Sequence, residues 1–175
     1  MLDAAIALWA EVGYERLTME STAERAGVAK TTVYRRWPSK LALVIDASAR
    51  VGEREVPEPD TGDTRKDLVL LVTRIGDTYA KTPAGRVVAN LLGEMADNPA
   101  LAAAFQPFWS GRQEVMRRVL ARGVGRGDLR AGLDVDTAIE LLTGPVYYRF
   151  LVTRKPLGRA FAGRVVDLAL SGLAV

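Results

Sequence analysis

The sequence contains no cysteine and no histidine. Disulfide bonds, thiol nucleophiles, thiolate metal sites and imidazole bases are therefore excluded, and we expect no metal, no cofactor and no catalytic residue. The lack of cysteine fits a reducing compartment. The first residues show no basic segment followed by an uninterrupted apolar run, which a signal peptide would need, so we predict a cytoplasmic protein. No apolar stretch approaches the roughly 20 residues of a membrane-spanning helix.

An enzyme without histidine or cysteine would have to rely on lysine or carboxylate groups. Lysine is rare in this sequence, and no pair of acidic residues shows a clear helical spacing for acid and base catalysis. The segment GVGRGD, from Gly123 to Asp128, has the glycines of a phosphate-binding loop. It follows a predicted helix rather than a strand and lacks the P-loop lysine. We therefore predict that the protein is not an enzyme.

The composition is that of an average globular protein, with 49% hydrophobic and 26% charged residues. The net charge of +3 is too small to indicate a nucleic-acid partner without a local concentration of basic groups. Alanine, leucine and arginine are frequent, and strand-like alternation is scarce, so we predict an all-α fold. A chain of 175 residues accommodates one large domain, or a small domain followed by a larger one.

Helix-capping residues and apolar spacing predict about nine helices. Four lie in the first 52 residues: Leu2 to Val12, Thr18 to Ala26, Lys30 to Trp37, and one that follows Ser39. Residues 53–63 are rich in proline, glycine and acids, which predicts a linker. Five helices follow, and they begin near Thr64, Thr82, Asn98, Asp134 and Gly158. Thr64 is the predicted cap of the first of these five, and the last is predicted to end near Ala174. We thus predict a helix-turn-helix domain over residues 1–52 and a larger helical domain over residues 64–175.

Three residues between positions 18 and 37 have the spacing of a helix-turn-helix. Ala23 is small enough for a second helix to approach, and Gly27 permits the turn. Val33 would pack the following helix against the first two. A basic helical face alone more often indicates a solvated surface than a binding site. This spacing favours DNA binding instead.

The helix from Lys30 to Trp37 has two different faces on a helical wheel. Val33 and Trp37 share the apolar face, and Thr31 and Arg35 fall almost opposite to it. The remaining polar residues flank them or project from the first turn; they are Thr32, Tyr34, Arg36 and Lys30. Arginine can bind guanine, threonine can contact bases, and tyrosine and lysine can hold phosphates. The polar face therefore suits the major groove of DNA.

The segment AERAGVAKTTVYRRWPSK, together with ALWAEVGYERLTM before it, resembles the DNA-binding region of TetR-family transcriptional regulators. The resemblance covers about residues 2–50. It implies a homodimer that binds a palindromic operator, usually represses transcription, and is released by a small ligand held in the C-terminal domain. It further implies that Arg35 helps to set sequence preference, and that DNA is contacted by Thr18, Lys30, Thr31, Thr32, Tyr34, Arg36 and Lys40.

The sequence departs from the family pattern at three places. Ala29 stands where relatives commonly have a capping serine, so we expect a weaker start for the third helix. Thr22 replaces a branched apolar residue, and we expect its hydroxyl to bond to a helix carbonyl. Relatives often carry a basic arm before the first helix, whereas this sequence begins inside that helix, so either the protein lacks the arm or the start is trimmed. Absence of the arm would remove some non-specific affinity.

The segment GPVYYRFLVTRKPL, from Gly144 to Leu157, resembles part of the C-terminal domain in one subgroup of the family. This resemblance implies that the last two helices form a four-helix bundle with their mates in a dimer. Their wide apolar stripes suit either an internal core or a two-fold interface. The predicted interface residues are Leu142, Val146, Phe150, Phe161, Val165 and Leu168.

A small, mostly apolar effector would bind among the middle helices, in a site with a few polar groups. The candidate residues are Tyr79, Asn90, Glu94, Phe105, Phe108, Trp109 and Gln113. For each of them taken singly, core packing is the favoured explanation, and Glu94 could equally well face solvent. The alternative function is a ligand-independent helical DNA-binding regulator or adaptor whose C-terminal core is filled. The sequence identifies neither the effector nor the operator, and it does not separate a repressor from an activator.

Overall fold

A computed structural model describes residues 1–53 and 58–173 of the chain. These residues form nine α-helices and one short π-helix, Arg149–Thr153, and no strand occurs among them. The all-α prediction with about nine helices is therefore confirmed. The α-helices in chain order are α1 Leu2–Arg16, α2 Met19–Ala26, α3 Lys30–Arg36, α4 Lys40–Glu53, α5 Thr64–Lys81, α6 Pro83–Asp97, α7 Pro99–Arg126, α8 Val135–Tyr148 and α9 Arg159–Leu173.

The chain divides into two compact units that do not follow its linear order. The first unit is Met1–Glu55 with Thr82–Ser110, and the second is Val56–Lys81 with Gly111–Val175. Helix α6 packs against α1 in the first unit, although the sequence interpretation placed α6 in the second domain. The predicted boundary at residues 53–63 lies in part outside the described residues, as does the predicted end of the last helix at Ala174.

Helix α1 bends at Gly13, whose backbone has φ 81° and ψ 170°. Such a positive φ is readily available only to glycine, so the regular part of the helix ends where the sequence predicts. A last turn follows and ends at Leu17, whose N–H donates to the carbonyl groups of Gly13 and Tyr14. Leu17 is fully buried beside Trp9 and Val44, and this packing fixes α1 against α4.

Helix α2 is held by local caps at both of its ends. Thr18 accepts the Ser21 N–H at 3.0 Å, and the Ser21 hydroxyl accepts the Thr18 N–H at 3.1 Å, so two free donors of the α2 start are satisfied. Gly27 ends α2 in the left-handed region at φ 65°. The short turn that it permits brings α3 against α2, with Ala23 and Val33 buried in their contact.

The core of the second unit comes from α5, α8, α9 and the end of α7, with fully buried residues such as Leu68, Leu120 and Leu142. A row of arginines on α7 holds the segment before α5. Arg118 and Arg122 both bind the Glu58 carboxylate, and Arg122 also donates to the Pro59 carbonyl at 2.5 Å.

Within the two described ranges, no helix is both long enough and apolar enough to cross a membrane.

Candidate nucleic-acid interface

Helix α3 presents a polar face to solvent because its apolar face is buried. Val33 is fully buried and Trp37 is 2% exposed, in a cluster with Met19, Leu43 and Ala47. The residues on the other side, Lys30, Thr31, Tyr34, Arg35 and Arg36, are all exposed. The structure thus brings these predicted DNA contacts onto one surface, together with the half-buried Thr32.

The two arginines of α3 differ in their surroundings. Arg35 points from the most exposed side of the helix, and no hydrogen bond or ion pair joins its guanidinium to another described residue. Arg36 lies over the Trp37 ring, with 5.2 Å from its guanidinium carbon to the ring centroid. A cation held over an aromatic face loses freedom. Arg35 is therefore the more adaptable of the two for reading a base edge.

The start of α3 lacks a side-chain cap, as predicted from Ala29. Its backbone has φ −65° and ψ 144°, the geometry of an N-cap residue, but alanine offers no acceptor. The expectation for Thr22 is confirmed, because its buried hydroxyl donates to the Thr18 carbonyl at 2.9 Å. The predicted cap at Ser39 is also confirmed, since its hydroxyl accepts the Ala42 N–H at 3.2 Å.

Tyr34 donates its hydroxyl proton to Glu20 of α2, with 2.9 Å between the oxygens. This bond raises the pKa of Tyr34 above its usual value. The pKa of the Glu20 carboxyl is lowered, first by its own backbone N–H and then by the Tyr34 hydroxyl, with a smaller contribution from the charge of Lys30. A carboxylate therefore lies within the otherwise basic and hydroxylated surface of α3.

Lys40 begins α4 and binds the last turn of α1. Its ammonium donates to the carbonyl oxygens of Tyr14 and Glu15 at 3.0 and 3.2 Å, and it lies 4.2 Å from the centroid of the Tyr14 ring. An ammonium group has three protons, so one remains for a phosphate. Lys40 thus has a structural role that the sequence did not predict. Thr18, the other predicted contact outside α3, is exposed at the start of α2.

The predicted effector residues are divided between the two units. In the first unit, Phe105 is fully buried and its ring lies 6.2 Å from that of Trp9 and 6.0 Å from that of Phe108. Trp109 continues this aromatic group, with 5.0 Å between its ring and that of Phe108. The indole N–H of Trp9 is buried and has no hydrogen-bond partner among the described residues.

Two polar candidates border this aromatic group. Asn90 donates its side-chain N–H to the Trp9 carbonyl at 3.2 Å. The pKa of the Tyr14 hydroxyl is raised, first by burial and second by the negative charge of the half-buried Glu94. Asn90 therefore has a structural partner, whereas Glu94 retains acceptor capacity.

Tyr79 and Gln113 belong to the second unit. Tyr79 is 3% exposed and its hydroxyl lies 2.9 Å from that of Tyr147, while its ring is 5.5 Å from Phe150. Burial raises the pKa of the Tyr147 hydroxyl strongly. A cavity of about 350 Å³ in this unit is lined by none of the seven candidates; it lies beside Thr64, Asp128 and Leu170.

The predicted dimer residues fall into two groups. Leu142 and Val146 are at most 1% exposed, and Phe161 and Val165 are below 10%, so they fill the interior of the second unit. Phe150 is half-buried, and Leu168 is 76% exposed. Large apolar side chains that the prediction omitted also lie at the surface of this region; they are Leu141, Tyr148 and Val152.

Comparison with known proteins agrees with this geometry. Residues 1–47 match the family described as bacterial regulatory proteins, tetR family, and residues 58–169 match the tetracyclin repressor-like C-terminal domain. An uncharacterized HTH-type transcriptional regulator of Bacillus subtilis, YdeS, is 30% identical over 99% of this chain and 87% of its own length.

Two solved structures share the fold. The TetR family transcription regulator SCO0332 has a TM-score of 0.80 and 32% identity, covering 99% of this chain and 96% of that protein. The regulator FadR of Bacillus subtilis, solved in complex with stearoyl-CoA, also has a TM-score of 0.80, at 23% identity, covering 98% and 97% of the two chains.

The helix-turn-helix with an exposed polar α3 defines a DNA-binding protein, built entirely from helices in the described residues. The chain belongs to the TetR family of transcriptional regulators. Members of this family are DNA-binding regulators and not enzymes, in agreement with the prediction from the missing histidine and cysteine.

Proposed function

We propose that this protein is a ligand-responsive repressor that binds a palindromic operator as a homodimer in the cytoplasm and is released by a small, mostly apolar effector. The observation that carries the proposal is the separation of faces on α3. Val33 and Trp37 are buried, while Arg35, Tyr34 and Lys30 are exposed together. A helix held in this way can enter a major groove with its polar face first.

The proposed DNA contacts divide by their chemistry. Arg35, opposite the buried face and without a partner among the described residues, is assigned to a base edge. Thr31 and Thr32 lie beside it and can contact bases or the thymine methyl group. The remaining residues are assigned to phosphates; they are Thr18, Lys30, Tyr34, Arg36 and Lys40.

A homodimer is supported by the exposed apolar side chains of α8, the π-helix and α9. Leu141, Tyr148, Val152 and Leu168 are each more than half exposed in the single chain. Leu141 and Tyr148 lie about two helical turns apart on α8 and so share one of its faces, and a large exposed apolar patch indicates a protein interface. A two-fold dimer would present two α3 helices about 34–36 Å apart, or a multiple of that distance, to match operator half-sites.

Effector binding would shift the population between two dimer shapes, of which only one matches the half-site spacing. The aromatic group of Phe105, Phe108 and Trp109 with Glu94 supplies apolar surface and one acidic acceptor. FadR, which has the same fold, was solved with stearoyl-CoA. Long-chain acyl-CoA thioesters therefore belong in the first ligand panel, beside small aromatic amines that Glu94 could bind.

The alternative is a regulator or adaptor that binds no effector. The dense packing of Phe105 and Tyr79, which are nearly unexposed, favours this second function. Thermal unfolding across the ligand panel distinguishes the two, because a ligand that binds only the folded state raises the midpoint. Release of bound DNA by the same ligand would establish the effector.

The test of DNA recognition is selection of bound duplexes from a random pool, repeated with Arg35→Ala. If Arg35 pairs with guanine, its loss costs about 1–3 kcal/mol and relaxes one or two operator positions. An equal loss of affinity for every DNA sequence would instead show that Arg35 contacts a phosphate. Lys40→Met should weaken binding to all DNA sequences alike and reduce the salt dependence of log K by about 1. The methionine side chain would keep its apolar contact with Tyr14.

A further inference from the structure

Glu20 is an acidic residue within the surface that α3 offers to DNA, and none of the proposed contacts uses it. Its carboxylate accepts the Tyr34 hydroxyl at 2.9 Å and lies within the electrostatic reach of Lys30. DNA phosphates repel a carboxylate at such a position. The location of Glu20 therefore has consequences for how tightly this surface binds any duplex.

The single proton of a phenol decides what Tyr34 can do. A tyrosine hydroxyl donates one hydrogen bond, and here it is given to a charged acceptor, which makes a stronger bond than a neutral one. A phosphodiester oxygen carries no proton at neutral pH and can only accept. While the bond to Glu20 persists, Tyr34 has nothing to donate to a phosphate, although the residue is 46% exposed.

We propose that Glu20 is a positioning residue that restrains sequence-independent DNA binding by withholding the Tyr34 hydroxyl from phosphate. A duplex that gains base contacts elsewhere on α3 can displace this bond, whereas a random duplex cannot. Glu20 thereby lowers affinity for random DNA more than affinity for the operator. The inference rests on the proposed DNA-binding role of α3 and adds a determinant of its specificity.

The test uses Glu20→Gln, Tyr34→Phe and the double variant, each titrated against a duplex of random sequence and against the selected operator. Glutamine retains the size of Glu20 but removes the charge, so the Tyr34 hydroxyl keeps only a neutral and weaker acceptor. Glu20→Gln should bind the random duplex roughly threefold to tenfold tighter, with a salt slope steeper by about 1. Its gain on the operator should be smaller, so the ratio of the two affinities falls.

The double variant tests the hydroxyl itself. On the random duplex, Tyr34→Phe should change affinity by less than about twofold when Glu20 is present, because the proton is already committed to the carboxylate. In the Glu20→Gln background, the same change should cost roughly threefold or more on that duplex, because a charged phosphate can take the hydroxyl from a neutral amide. Glu24→Gln is the matched control, since Glu24 is exposed one turn further along α2 and carries the same charge.

Three results would overturn the inference: an unchanged or weaker affinity of Glu20→Gln, an equal gain from Glu24→Gln, or the same effect of Tyr34→Phe in both backgrounds. Arg35→Ala and Arg36→Ala, measured in the same assay, separate this from the proposed function. If neither weakens DNA binding, α3 is not the interface and the proposed function fails. If they weaken it while Glu20→Gln brings no gain, only the restraint by Glu20 fails.

Discussion

The indole N–H of Trp37 donates a hydrogen bond of 2.8 Å to the Asp46 carboxylate. Trp37 follows the last residue of α3 and is 2% exposed, whereas Asp46 lies at the surface of α4. Pro38 interrupts the helical backbone between α3 and α4. The hydrogen bond to Asp46 and the burial of Trp37 beside Leu43 therefore set the angle between the two helices. The orientation of α3, which we propose enters the major groove, thus depends on a residue outside the proposed DNA contacts.

Asp46→Ala should lower the free energy of unfolding by about 1–3 kcal/mol, because the buried indole donor loses its partner. Urea unfolding followed by circular dichroism measures this loss. In a Trp37→Phe background the donor is gone, and Asp46→Ala should then cost almost nothing. An equal cost in both backgrounds would show that Asp46 acts through some other contact.

Ala29→Ser should stabilise the protein by about 1 kcal/mol, since the backbone at this position already has N-cap geometry and lacks only an acceptor. The same unfolding experiment measures the gain. Ala29→Val is the control, because valine adopts this extended backbone, ranks with alanine at an N-cap and supplies no side-chain acceptor. A serine variant less stable than wild type would mean that the α3 start is constrained by something other than its free N–H groups.

The helix-turn-helix could be predicted from the sequence because its determinants are local. Gly27 at positive φ, the cap at Thr18 and the buried Val33 all act within a few residues of their partners. One predicted helix cap, at Thr64, was wrong by one position. The start of α5 is capped by Asp63, which accepts the Lys66 N–H at 2.9 Å, while Thr64 donates to Asp128 instead.

The determinants that were missed connect residues far apart in the sequence. Glu20 meets Tyr34 across the turn, and Glu58 meets Arg122 across 64 positions. No spacing rule relates such pairs. The helical period likewise shows that α8 has a wide apolar surface, but only packing decides that Leu142 is buried while Leu141 is exposed.

Glu58→Gln should destabilise the protein at neutral pH and leave it unchanged in acid. Hydrogen bonds from Arg118 first and Arg122 second hold the pKa of the Glu58 carboxyl below its usual value. A lowered folded-state pKa stabilises the native protein above the unfolded pKa, and this contribution disappears as the pH falls through the folded value. The thermal midpoints of variant and wild type should therefore differ at pH 7 and converge below about pH 4.

The control for this pH dependence is Glu140→Gln, which removes the same charge from an exposed position on α8. Its difference from wild type should be small at every pH, because an exposed charge without an ordered partner contributes little to stability. Midpoints measured in steps from pH 7 to about pH 2 follow the loss of this contribution, which begins near the ordinary carboxyl pKa of about 4 and continues below it. A constant difference between Glu58→Gln and wild type across that range would contradict the assigned role of the two arginines.

Leu168→Glu should convert the proposed dimer into a monomer without loss of helix content. Leu168 is 76% exposed in the single chain, so a charge there is tolerated by the folded monomer but would be buried by a partner. Sedimentation velocity and circular dichroism measure the two properties. Leu142→Ala is the contrasting variant, because Leu142 is fully buried and its truncation should cost about 2–5 kcal/mol of stability. If Leu142→Ala dissociates the dimer and Leu168→Glu leaves it intact, the interface lies away from the exposed face of α9.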